Sequence, residues 1–342
     1  MFEISLSPSN LLAHGYLSHL VEARQLGQFS LSAGQIICQQ LWQQSQTTAK
    51  VGHKLVVFAE GLNLQALLTA EQELAAHLSV HHWQVVKVPG LQGFALSASI
   101  ELHNHANLNA SLERVASQYC IELCVVADKP SLQQTGLLVM DMDSTVIACE
   151  CIDDIATLAG VGEQVSAVTA QAMQGKLDFA QSLRTRVGCL AGADEAILQQ
   201  VKHALPLMPG IANLVALLKQ HDWKLAIASG GFTYFADYLA DRLSLDAALA
   251  NKLEIIDGKL TGKVDGDIVD AQVKAQTLVQ LAERWGIPLS QTIAMGDGAN
   301  DLVMMKAAAL GVAFHAKPVV RQQADVAIRR GGLDALLWIL AA

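Results

Sequence analysis

The stretch Gly136-Leu137-Leu138-Val139-Met140-Asp141-Met142-Asp143-Ser144-Thr145 decides how the rest of the chain is read. Residues 136–140 predict a short buried strand, which delivers two carboxylates, two positions apart, into a polar turn. Alternate residues of an extended chain point the same way, so Asp141 and Asp143 can face one small volume. Two like charges held that close are tolerated mainly where a cation binds or a proton is shared. One reading is therefore a metal-assisted site with an acid nucleophile. The other is a strand end followed by a solvated, Asp-rich turn, and the remainder of the chain has to decide.

With 342 residues, 52% of them hydrophobic and only 16% charged, the chain is long enough for two domains with sizeable cores. No apolar run approaches the roughly 18 to 20 residues that span a bilayer. The start, Met1-Phe2-Glu3-Ile4-Ser5, lacks a basic segment followed by a hydrophobic one, so a soluble cytoplasmic protein with no membrane partner is expected. A formal charge of −9, spread along the chain, argues against nucleic-acid binding. It also means that an anionic substrate needs a local cluster of cations. Six cysteines (38, 120, 124, 149, 151 and 189) and 11 histidines form no metal-ligand spacing, and reduced, mostly buried thiols are the expectation.

Two domains are expected. Across 54–127 the runs Lys54–Ala59, Trp83–Val88, Phe94–Leu102 and Ile121–Ala127 read as strands, and two segments with leucines at helical spacing as helices. The order β-α-β-β-α-β is that of a ferredoxin-like unit, assigned to residues 1–130. Residues 1–50 are Gln-rich and read as partly helical, and Asp128-Lys129-Pro130-Ser131 reads as a linker. From 131 to 342, short Val/Ile/Leu runs at 136–140, 224–228, 292–295, 310–314 and 325–328 alternate with helical stretches. That is the pattern of a Rossmann-like, doubly wound parallel sheet, in which ligands sit beyond the carboxyl ends of the strands. A helical insertion at about 150–205, with Asp178 and Asp194 as N-caps, would hang over the first strand's carboxylate loop as a cap. A β-hairpin is expected at about 253–269 around Asp257-Gly258.

Three further strand ends carry chemistry. Lys224–Ala228 runs into Ser229-Gly230-Gly231 and then a helix from Phe232, where small residues, a hydroxyl and a helix N-terminus suit an anion. Thr292–Met295 runs into Gly296-Asp297-Gly298-Ala299-Asn300-Asp301, whose carboxylates and amide offer the oxygen ligands that Mg²⁺ accepts. Lys274 lies near the start of a helix, where alone it would read as a solvated surface lysine.

DxDST, SGG, a lysine and GDGAND, in that order at strand ends, resemble the haloacid dehalogenase superfamily of phosphotransfer enzymes over residues 136–330. The resemblance implies Asp141 as a nucleophile that forms an aspartyl-phosphate and Asp143 as the acid and base. It further implies Mg²⁺ held by Asp141, the Asp143 carbonyl and Asp297, with Asp301 steering a metal-bound water. Ser229, Gly230, Lys274 and Asn300 are implied to meet the substrate phosphoryl group. The stretches around Glu150, Met173–Phe179 and Ser182–Val187 are similar, more narrowly, to the phosphoserine phosphatase family. That similarity implies hydrolysis of O-phospho-L-serine, the last step of serine synthesis. Glu150 would bind the substrate ammonium, Arg186 its carboxylate, and Met173 and Phe179 would close a lid. By composition alone Arg184 is as good a candidate as Arg186. Rival readings are a relative acting on another small phosphomonoester, or on an alcohol acceptor, and a non-catalytic sensor. The N-terminal unit resembles the ACT fold in topology. Its Glu60-Gly61-Leu62-Asn63 departs from the Asp-x-x-Gly-type ligand turn, which leaves an amino-acid effector and a homodimer contact equally open.

Overall fold

The structure, a computed structural model, describes residues 2–4, 28–32, 35–39, 52–59, 61–127 and 129–342. Glu60, Asp128 and the helical expectation for the first fifty residues lie outside them. Two compact units emerge: residues 1–132 with 325–342, and residues 133–324.

The first unit contains Phe2–Ile4 (β1), Gln28–Ser32 (β2), Gln35–Gln39 (β3), Lys54–Phe58 (β4), Leu64–Leu74 (α1), Leu78–Val86 (β5), Ala95–Leu102 (β6), Leu108–Tyr119 (α2) and Glu122–Val126 (β7). Its strands pair antiparallel in the order β1-β3-β2-β5-β6-β4-β7. Leu55, Val57, Leu67, Leu74, Trp83, Leu96 and Val115 form its core. β5 begins five residues before the expected Trp83, and a register shift leaves the exposed His81 without a partner on β6 between the pairs Val80–Ile100 and His82–Ser99.

The second unit opens on Leu137–Met140 (β8). The helices Cys151–Leu158 (α3), Gly162–Met173 (α4), Phe179–Gly188 (α5) and Ala196–Ala204 (α6) follow. Asp178 caps α5 in a reciprocal capping box with Gln181, and Asp194 accepts a hydrogen bond from the Ala196 N–H before α6. After Ile211–Gln220 (α7) come Lys224–Phe232 (β9), Thr233–Leu243 (α8), Ala247–Ile256 (β10), Lys259–Asp265 (β11), Ala271–Arg284 (α9), Thr292–Gly296 (β12), Leu302–Ala307 (α10) and Leu310–Phe314 (β13). β10 and β11 make the expected hairpin, closed by Asp257 and Gly258, both with positive φ as a type I′ turn needs.

The strands of this sheet run β11-β10-β9-β8-β12-β13, parallel except at the hairpin. From β8 the chain moves outward through β9 and β10, then returns to β8's other side at β12. The strand order therefore reverses at β8, and a crevice opens beyond its carboxyl end. Asp141 stands there. Every β8 side chain is buried, so the run of Leu137, Leu138, Val139 and Met140 serves as the wedge that fixes the crevice floor.

The C-terminal residues 325–342 group with the first unit, and Val326–Ile328 is the strand that the run at 325–328 predicts. Glu122, 4% exposed, explains their return: its Oε1 accepts from the Arg329 and Arg330 N–H groups at 2.9 and 2.5 Å. The Arg329 guanidinium lies against Glu122 and donates to Glu113 at 2.8 Å. The helix Ala335–Ala341 (α11) buries Leu336, Leu337, Ile339 and Leu340, and Trp338 packs on Phe58. Replacing Arg329 by Met removes the guanidinium from beside the buried Glu122 carboxylate, which costs on the order of 3 kcal/mol. Hydrogen exchange of the β7 amides should rise accordingly, whereas unchanged protection would show that the clasp contributes nothing.

Candidate active site

The site grows from the turn after β8. The Asp141 N–H donates to Met295 O on β12, so Asp141 continues the sheet while its side chain enters the crevice. Three amides (145–147) then donate to Met142 O, and Ser144 takes a left-handed φ of 55°. That conformation costs a non-glycine residue about 1 kcal/mol or more. It also aims the Ser144 hydroxyl at Glu150 Oε1, 2.7 Å away.

Asp141 Oδ1 accepts from the Met142 N–H at 2.8 Å and from Lys274 Nζ at 2.7 Å. Lys274 Nζ also donates to Asp301 Oδ1 at 2.8 Å, and Lys274 is 1% exposed. Burial pulls the ammonium pKa down, but Asp141 and Asp301 more than offset this and hold it above its ordinary value. Asp301 is saturated from both sides, since Oδ2 accepts from the Gly298 N–H at 3.0 Å. Its pKa is nonetheless raised, by burial and then by Asp141. Asp297 stands on the open side of this trio. Burial, then Asp141 and Asp301, pushes it up to about 7.

Asp141, Asp297 and Asp301 each bring a carboxylate oxygen to within 4.8 Å of the others. All three donors are hard oxygens, which suits Mg²⁺, an ion usually bound by one or two carboxylates plus phosphate and water. The donor set fits such an ion, and the charge balance calls for one: among the described residues, five acids (141, 143, 150, 297 and 301) meet Lys274 and Arg186 as cations.

A cavity of about 220 Å³ lies over the trio. Asp141, Asp143, Glu150, Ser229, Gly230, Asp297 and Asn300 line it from the sheet side, and Phe179, Leu183 and Arg186 from α5. Positions 179, 183 and 186 are i, i+4 and i+7, one helical face. Arg184 is exposed on another face, so helix rotation separates the two arginines that composition could not. Arg186 is half-buried and its Nε has no partner among the described residues. Burial lowers its pKa against the pull of Asp153, Glu150 and Asp143. Asp143 accepts from the Cys151 N–H at 3.0 Å. Burial, followed by Glu150, raises its pKa to about 7.

Several placements differ from the sequence reading. Ser229-Gly230-Gly231 is not a βα turn: β9 stays extended through Phe232 and the helix starts only at Thr233. Its glycines are there for space. A Cβ on Gly230 would lie 2.6 Å from Phe179 Cζ, and one on Gly231 2.6 Å from Met142 Cε and 2.7 Å from Asp143 Oδ2. Lys274 lies beneath the two carboxylates and does not line the cavity. Met173 is 71% exposed at the end of α4, away from the cavity that Phe179 covers. Of the described cysteines, Cys124 and Cys151 are buried, Cys149 and Cys189 half-buried and Cys120 exposed. Sequence reasoning missed Leu183, which helical spacing from Phe179 would have found. It also missed the contact of Ser144, in the turn after β8, with Glu150, and it missed Asn251, whose one signal is a polar residue inside a strand.

A cleft at the sheet's reversal point, a carboxylate pair on the central strand and a buried lysine define a class of metal-assisted phosphotransfer hydrolases. A family model described as haloacid dehalogenase-like hydrolase matches residues 135–309, and the chain belongs to that family. Within it, the chain is 59% identical over 222 residues to a phosphoserine phosphatase of Haemophilus influenzae, covering 65% of this chain and 71% of that one. A crystal structure of a probable phosphoserine phosphatase from Vibrio cholerae superposes with a TM-score of 0.72 at 46% identity, over 84% of this chain and 86% of the other. A phosphoserine phosphatase solved as a phospho-aspartyl intermediate analogue matches at a TM-score of 0.58 and 39% identity, over 60% of this chain and 99% of that chain.

The Phe179–Gly230 contact is directly testable. Gly230→Ala should lower kcat/KM for p-nitrophenyl phosphate roughly 10- to 100-fold by displacing the phenyl ring and the strand. Phe179→Ala in that background should recover part of the loss; no recovery would place the damage in the strand alone.

Proposed function

We propose that the chain hydrolyses O-phospho-L-serine to L-serine and phosphate through an aspartyl-phosphate on Asp141, in the last step of serine synthesis. The observation that carries this reading is the placement of Asp141 beside Asp143 in a cavity that also receives Glu150 and Arg186. Both hydrogen bonds of Asp141 fall on Oδ1, which leaves Oδ2 as the oxygen for phosphorus.

In the first half-reaction Asp141 Oδ2 forms the O–P bond as the P–O bond to serine breaks. Asp143, with a pKa near neutrality, gives its proton to the departing serine oxygen. In the second half-reaction a water attacks phosphorus and passes a proton back to Asp143, and Asp141 leaves as a carboxylate. The Ser229 hydroxyl and Asn300 sit where transferring phosphoryl oxygens would lie, with developing charge met by fixed donors. Lys274 acts through Asp141, whose Oδ1 it holds in place by hydrogen bond. Asp141, the Asp143 carbonyl and Asp297 would hold Mg²⁺, with Asp301 in support; the ion supplies charge neutralisation for the phosphate. Glu150 answers the substrate ammonium, and the Arg186 fork its carboxylate. The first unit fits an amino-acid effector site or a homodimer contact, in a cytoplasmic enzyme.

Phosphate release from a panel of phosphorylated amino acids and sugars tests this reading. Turnover of O-phosphoserine is expected with Mg²⁺ and its loss with EDTA. Arg186→Ala should raise KM for O-phosphoserine about 10- to 100-fold, the worth of a charged hydrogen bond. It should leave KM for p-nitrophenyl phosphate nearly unchanged. Equal effects on both substrates would remove the amino-acid assignment.

A further inference from the structure

The geometry points to Asn251 as a positioning residue that orients the Ser229 hydroxyl toward the transferring phosphoryl group. This rests on the phosphatase reading above. Asn251 is 1% exposed in the middle of β10, where a buried amide needs a reason to be present. β9 and β10 supply it. Ala228 pairs with Leu249 and Phe232 with Asn251, so Ser229, Gly230 and Gly231 together face Ala250 alone. The extra residues bulge, and a bulge leaves ladder groups unpaired. Asn251 repairs the ladder with its side chain. Its Nδ2 donates to Gly230 O at 2.8 Å, while its Oδ1 accepts from the Val269 N–H at 2.9 Å.

The consequence runs one peptide further. Gly230 O and Gly231 N belong to the same rigid peptide plane. Gripping the carbonyl therefore fixes the N–H, which donates to Ser229 Oγ at 2.9 Å. A hydroxyl that accepts from one side has its own proton to give to another. Ser229 is itself 1% exposed yet lines the cavity, so the free direction for that proton is toward the cavity, where the phosphoryl group would lie. On its other side Asn251 holds Val269, whose neighbour Asp270 caps α9 through the Gln272 and Val273 N–H groups. α9 carries Lys274. One amide thus ties together two elements that serve the site.

A double-mutant cycle of Asn251→Asp with Ser229→Ala separates positioning from simple support. The aspartate keeps the size and the acceptor for Val269 but cannot, when ionised, donate to Gly230. With p-nitrophenyl phosphate and O-phosphoserine, Asn251→Asp should lower kcat on the order of 10- to 100-fold, with a smaller change in KM. In a Ser229→Ala background the same substitution should cost less than about twofold, because the hydroxyl it orients is gone. Equal losses in both backgrounds would overturn the proposal and leave Asn251 as scaffolding. If Asn251→Asp does not fold by circular dichroism, Asn251→Ala, which removes both bonds without adding charge, replaces it in the cycle under the same criterion. Absence of O-phosphoserine turnover by the unaltered chain, with the coupling intact on p-nitrophenyl phosphate, would sink the substrate reading and keep the positioning role.

Discussion

One buried ammonium organises the catalytic unit. Lys274 reaches from the first turn of α9 to Asp141 after β8 and Asp301 after β12, at 2.7 and 2.8 Å. A lysine is almost never fully buried unless paired. Here it neutralises one of two carboxylates that could not share the space without it. Asp297 adds a third carboxyl group to the same floor. Positive charge on this floor thus comes before phosphate, since a dianion has no approach to uncompensated carboxylates. Removing Lys274 would leave two buried acids facing each other, so the lysine is as much a condition of folding as of chemistry.

Above that floor the cap sets what can enter. α5 presents Phe179, Leu183 and Arg186 on one face, an apolar lid ending in a guanidinium. Ser144, strained into a left-handed turn, holds Glu150, which lines the same cavity. An acid and a fork-shaped cation lining one cavity match the two charged groups of the proposed amino-acid substrate. In the proposed reaction the cap reads the substrate's backbone while the sheet performs the transfer. Glycines at 230 and 231 keep the two layers in contact, because any side chain there would push Phe179 or Asp143 away.

Much of the site was legible because its chemistry is local. Asp141, Asp143 and Asp297 stand at strand ends that alternate apolar runs announce, and the Asp178 capping box announces α5. What was not legible depends on tertiary contacts. Ser229-Gly230-Gly231 has the composition of a turn, but Phe179 and Met142 pressing on its two glycines, with Asn251 gripping its carbonyl, hold it extended. The motif order put Lys274 in the site as a phosphoryl contact, but only the tertiary structure shows its ammonium held between Asp141 and Asp301. Met173 matched a lid motif, yet the end of α4 turns it to solvent. The return of residues 325–342 to the first unit rests on Glu122, a carboxylate that no spacing rule singles out.

The central claim is that Asp141 Oδ2 becomes covalently bonded to phosphorus while Lys274 holds the other oxygen. Rapid acid quench during turnover of O-phosphoserine, followed by borohydride reduction and peptide mass spectrometry, tests it most directly. Reduction converts an aspartyl-phosphate to homoserine, so homoserine at position 141 and at no other aspartate is the expected result. Unmodified Asp141 under steady turnover, or homoserine at Asp143 instead, would contradict the account.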